Sequence, residues 1–146
     1  MLREGERWVT RMTARNAQMF GPPGHAYVYF IYGNYHCLNV VTREQGVAEA
    51  VLIRAVEPAQ GIALMRARRG ASDERNRASG PGKLAQAFAI DMRHNGADLT
   101  RGPLRIERGR EVAAHDVEAR PRVGVRVGCE QPWRFVIADS AWLSRR

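Results

Sequence analysis

The sequence predicts an α+β fold: a single domain with a mostly antiparallel, curved β-sheet, a protruding aromatic β-hairpin and flanking helices. Three observations carry that prediction. Two aromatic and β-branched runs hinge on a turn dipeptide in the first third, short apolar runs broken by Gly, Pro and Asp occupy the C-terminal half, and stretches of helical periodicity lie between them. At 146 residues the chain fits one domain, 1–146, large enough to bury a core without a disulfide or a metal.

The hairpin is read from Ala26-Tyr-Val-Tyr-Phe-Ile-Tyr32, then Gly33-Asn34, then Tyr35-His-Cys-Leu-Asn-Val-Val41. Pro22-Pro23-Gly24 before it is loop, because two prolines fix the backbone and remove two donors. Alternation puts Tyr27, Tyr29 and Ile31 on one face and Val28, Phe30 and Tyr32 on the other, with Tyr32 directly before the turn and near an exposed tip. Val47 to Val56 reads as a buried strand interrupted once, by Arg54. Pro58 opens a helix that stops at Gly70, with Ile62, Met65 and Leu64 facing inward. Residues 71–79 (ASDERNRAS) are polar and aperiodic, the pattern of a surface loop. Ser79-Gly-Pro-Gly-Lys83 opens a further helix through Ile90, in which Leu84, Ala87 and Phe88 share a face. This is not a phosphate-binding P-loop, since Lys83 is followed by Leu84 rather than Ser or Thr. Leu104–Glu107, Arg122–Val127 and Trp133–Ile137 read as short strands.

Lys and Arg number 23 against 15 for Asp and Glu, a formal charge of +8, which points to a polyanionic partner. A ribosomal or merely basic surface has the same balance, because charge speaks for association rather than chemistry. Cys37 and Cys129 lack zinc-ligand spacing, and His25, His36, His94 and His115 are scattered, so no metal or other cofactor is expected. No apolar run approaches the roughly 20 residues of a membrane helix, and the polar opening lacks a signal-peptide core. The expected setting is cytoplasmic, at the nucleoid, as a monomer.

Several ordered motifs then resemble one family. Thr13-Ala-Arg-Asn16, the run from Met19 through Asn39, Val51-Leu-Ile-Arg-Ala-Val-Glu-Pro58, Ser79-Gly-Pro-Gly-Lys-Leu84 and Arg122-Val-Gly-Val125 are similar to those of the 3-methyladenine (alkyladenine) DNA glycosylases. The resemblance runs from about Arg11 to the end of the chain. It implies a monofunctional, metal-free repair enzyme that flips alkylated or deaminated purines out of damaged double-stranded DNA and hydrolyses the N-glycosidic bond. By position it implies Tyr32 as the residue filling the gap left by the flipped nucleotide, Tyr29 as a wall of the base pocket and Asn39 as the side chain that disfavours guanine through its 2-amino group. Arg54 resembles the arginine that helps hold the nucleophilic water, with the backbone carbonyl near Val123 as a further anchor. Arg11 and Thr13 match positions on the DNA backbone, and Lys83 matches a lysine at the pocket side; a solvated first-turn lysine is an equal reading of Lys83.

One element of the family's pattern is absent. Hydrolysis needs a carboxylate to activate water, and the family supplies it from an upstream E-x-E-A-Y element that these 146 residues do not contain. A pocket His that normally follows it is replaced, on gapless counting, by Glu6. Three explanations compete: a fragment or misplaced start, a catalytically silent binder of damaged DNA, or replacement of the base by Glu4 or Glu6. The first is favoured, because nothing places a terminal Glu within hydrogen-bond reach of the water.

Overall fold

A computed structural model describes residues 11–70, 73–126 and 128–143. Glu4, Glu6, residues 71 and 72 of the polar loop and Val127 lie outside the described residues. The fold is α+β, with antiparallel sheets and two helices. Its chain divides into two compact units, one of Val9–Glu107 and one of Arg108–Ala141.

The first unit holds a three-stranded antiparallel sheet of β1 (Ala26–Ile31), β2 (Tyr35–Val41) and β3 (Ala50–Leu52), with β2 in the middle. Tyr27 stands opposite Asn39, Tyr29 opposite Cys37 and Ile31 opposite Tyr35. Outward-facing groups along β1, every second residue, are covered rather than left open. Ala26 N–H donates to the Ala97 carbonyl at 2.8 Å, Gly96 N–H donates to the Ala26 carbonyl at 2.8 Å, and the Asn95 side-chain oxygen accepts from Val28 N–H at 2.9 Å. Such cover removes the pairing template that a bare edge presents.

The core joins Ala26, Val28 and Leu38 of the sheet to Leu84, Ala85 and Ile90 of the second helix and its exit, with Leu99 closing it. That helix, α2 (Pro81–Phe88), starts with Pro at its first position and ends on Ala89 in the left-handed region, φ 56°. Because Ala89 reverses the chain, Ile90 enters the core in place of Phe88, which is 40% exposed. The first helix, α1 (Ile62–Arg69), stops at Gly70 as the sequence predicts, but begins at Ile62 rather than Pro58. Met65 is its buried residue and Leu64 points outward. Basic side chains in the last turn of α1 bind α2: Arg68 Nη1 donates to the Ala87 carbonyl at 3.0 Å and Arg69 Nη1 to Gln86 Oε1 at 2.6 Å.

Several sequence expectations need correcting. Val47–Val56 is not a buried strand; β3 is three residues long at the margin of the sheet, and Val51 is half exposed. The polar stretch after α1 is not wholly a surface loop. A 3-10 turn at Glu74–Asn76 carries Arg77, Ala78 and Ser79 into the interior, where the Ala78 carbonyl accepts from Val56 N–H at 3.3 Å. Arg77 is fully buried, with Glu74 Oε1 3.9 Å from its Nη1. Leu104–Glu107 forms no strand; Ile106 N–H donates to the Leu99 carbonyl at 2.8 Å and Arg105 Nη1 to the Gly102 carbonyl at 3.1 Å.

In the second unit, β4 (Val117–Arg120) and β5 (Arg134–Ile137) form a two-stranded antiparallel sheet. The strand read at Arg122–Val127 is absent among the described residues, because Gly124 at φ +75° breaks the extended run. β4 itself was not anticipated, since Val-Glu-Ala-Arg has little β-branched character.

Candidate nucleic-acid interface

The turn joining β1 and β2 is the most exposed aromatic position of the first unit. Tyr32 and Gly33 both occupy the left-handed region, at φ 56° and 74°, and Asn34 N–H donates to the Ile31 carbonyl at 3.4 Å, the pattern of a type I′ turn. Glycine adopts that backbone readily, whereas a tyrosine in it is an outlier. Tyr32 therefore lies within the turn rather than before it, and its side chain is 80% exposed.

Behind the turn, one face of the strand pair gathers aromatic, sulfur and amide groups. The Tyr27 and Tyr29 rings lie 5.4 Å apart, inclined by 38°. Cys37 faces Tyr29 across the pair and is buried. Burial pushes the Tyr29 phenol well above its ordinary range, and the neighbouring Cys37, through its charge and a hydrogen bond, pushes it further. The Cys37 thiol is raised by burial too, against the opposing pull of the Tyr29 hydrogen bond and the Arg54 charge. Both groups hold their protons at neutral pH, so the face is uncharged. Asn39 is buried beside them, its amide donating to the carbonyls of Tyr27 at 3.0 Å and Cys37 at 3.4 Å.

The segment ahead of β1 supplies positive charge to this face. Asn16 closes it into a turn: its Oδ1 accepts from Thr13 N–H at 2.6 Å and from the Thr13 hydroxyl at 3.0 Å, and its Nδ2 donates to the Arg11 carbonyl at 3.1 Å. Arg11, Thr13 and Arg15 are thereby presented on the exposed side of that turn. The Arg15 guanidinium lies 5.8 Å from the centre of the Tyr29 ring, and its Nη2 donates to the Phe30 carbonyl at 3.1 Å. Arg54 is half-buried just past β3, outside the strand in which the sequence placed it, and its charge reaches Cys37. Lys83 stands in the first turn of α2, where it donates to Asn76 Oδ1. Tyr29, Asn39 and Arg54 are thus brought to one neighbourhood around Cys37, while Lys83 belongs to the α2 entrance. Val123 belongs to the second unit.

A family model described as methylpurine-DNA glycosylase (MPG) matches residues 4–141. The chain belongs to the methylpurine-DNA glycosylase family. A candidate 3-methyladenine DNA glycosylase of Carboxydothermus hydrogenoformans is 50% identical over 135 residues, which cover 92% of this chain and 71% of that protein. Proteins of the same name from Rhodopseudomonas palustris strain BisB18 and Methanoculleus marisnigri are 53% and 48% identical, covering 91% and 92% of this chain and 66% and 71% of theirs. The chain therefore spans about two thirds of the length of the curated relatives it matches.

Within this glycosylase-family chain, sequence reasoning passed over three residues that share the Tyr29 face. Tyr27 carried a legible signal, being two residues from Tyr29 and on the same side of an alternating strand. Cys37 follows once the turn fixes the register. Arg15 carried none, because its approach to Tyr29 depends on how the Asn16 turn folds back on β1.

Proposed function

We propose that this chain recognises alkylated or deaminated purines in duplex DNA by drawing the damaged nucleotide out of the stack, for hydrolysis of its N-glycosidic bond. The observation that carries this reading is Tyr32, a bulky aromatic 80% exposed in left-handed backbone. Such a side chain has no core to enter, and its flat shape suits a wedge between base steps. Unusual backbone of this kind gathers at functional positions.

Tyr29 then serves as a wall for the extruded base, and Asn39 turns away guanine through its 2-amino group. Arg54 helps hold the attacking water, Arg11 and Thr13 meet the DNA backbone, and Lys83 stands at the pocket side. On this reading the β1–β2 turn protrudes from a curved sheet toward the duplex. Hydrolysis adds the water oxygen to the sugar C1′ and breaks the C1′–N bond, a carboxylate taking the proton of the water; a deaminated base, which leaves with an electron pair and a negative charge, takes up a proton, whereas an alkylated cationic base leaves neutral without one.

A second reading is recognition without excision, since these 146 residues hold no E-x-E-A-Y element. One experiment separates the two: the purified chain is mixed with duplexes containing hypoxanthine or 3-methyladenine, and both binding and free base are followed. Both readings expect tighter binding to the lesion duplex than to its undamaged match, and they differ in whether free base is released. Release of base would assign hydrolysis to these residues, and equal binding of both duplexes would remove the damage-recognition reading.

A further inference from the structure

The residue over the Tyr29 ring carries charge, and charge separates the two chemical classes of damaged purine. A purine alkylated at N3 or N7 of its nucleoside carries a positive charge, whereas a deaminated purine is neutral. An aromatic ring alone favours the cation, which is attracted to the electron-rich face. Here the Arg15 guanidinium already lies 5.8 Å from the Tyr29 centroid, anchored by the Phe30 carbonyl at 3.1 Å. Its charge is felt at both Tyr27 and Tyr29.

We infer that Arg15 is a specificity-determining, positioning residue: its guanidinium over the Tyr29 ring disfavours cationic alkylated purines relative to neutral deaminated ones. The inference rests on the proposed role of Tyr29 as a wall of the base pocket. A guanidinium draws electron density toward itself and so weakens the ring's attraction for a second cation, and the two positive charges also repel directly. A neutral base stacking on the ring meets neither penalty. Neither contact of Arg15 was anticipated from the motif in which it lies, because Asn16 must first close that segment into a turn.

The test compares dissociation constants of the intact chain for duplexes containing hypoxanthine, 3-methyladenine or no lesion, neither damaged base carrying the 2-amino group that Asn39 meets. Wild-type protein is expected to bind the hypoxanthine duplex more tightly than the 3-methyladenine duplex, and Arg15→Gln to shift that ratio about three- to five-fold toward the cationic base. Loss of a phosphate contact lowers affinity for all three duplexes alike, so a role confined to the DNA backbone or to the fold leaves the ratio unmoved. Arg15→Lys, which keeps the charge, is expected to restore most of the wild-type ratio. An unchanged ratio in a folded Arg15→Gln overturns the inference. Should Arg15→Gln lose its circular dichroism, the wild-type ratio decides, and equal or reversed preference overturns it. Wild-type protein that binds all three duplexes equally sinks the recognition reading itself, a distinct outcome.

Discussion

Tyr32 sets local stability against exposure. Left-handed backbone at a residue with a Cβ costs about 1 kcal/mol or more, and the 80% exposed side chain recovers little of it by packing. Replacing it with the residue best suited to that backbone should therefore strengthen the fold and weaken the function. Tyr32→Gly is expected to raise unfolding stability by up to about 1 kcal/mol in urea titrations, while lowering affinity for a lesion duplex about ten-fold. A variant that loses stability would show that the tyrosine packs more than its exposure indicates. Tyr35, three residues on, behaves differently because its ring packs on α2, so Tyr35→Ser should damage the fold first.

The junction between the β1–β2 turn and α2 is built on one glycine. A Cβ at Gly82 would stand 2.6 Å from Tyr35 Cδ1 and 2.8 Å from Cγ, well inside contact distance. Alanine ordinarily favours a helix by about 1 kcal/mol over glycine, but overpacking of this kind costs about 1–3 kcal/mol, and the clash should win. Gly82→Ala is accordingly expected to lower the denaturant midpoint, and the double variant Gly82→Ala with Tyr35→Ala to recover part of the loss. A stabilised Gly82→Ala would mean that the ring swings away freely.

Local chemistry made some elements legible in the sequence. Alternating aromatics around a turn dipeptide gave the bounds of β1 and β2 to within a residue, and Gly70 marked the end of α1. Burial set by distant partners was not legible. Arg77, Ala78 and Ser79 lie in a polar stretch, yet Val56 and α2 draw them inside. Arg122–Val127 looked like a strand because its valines alternate, while Gly124 at φ +75° turns the backbone out of the extended region. Of the candidate site, the residues on the strand face could be read from period and register, whereas the cation over Tyr29 could not.

For the whole molecule, charge is the property that bears most directly on its partner. The formal charge of +8 comes almost wholly from arginine, with Lys83 the one lysine in the sequence. Arginine suits phosphate because its planar fork donates two parallel hydrogen bonds and does not lose its proton. Arg11 and Arg15 are both exposed on the turn beside the Tyr29 face, so contacts to phosphate and to a base would be made from neighbouring positions. Each neutralised phosphate releases condensed counterions, which makes affinity fall with salt in proportion to the number of contacts. Two to four contacts give a slope of about −2 to −4 in a plot of log affinity against log salt concentration. The slope should be similar for lesion and undamaged duplexes, because phosphate contacts carry no information about the base, and the gap between the two lines should persist at high salt. Fluorescence anisotropy over a salt series measures both quantities. A flat response would mean that binding does not run through the arginines, and lines that converge at high salt would mean that charge alone separates the two duplexes.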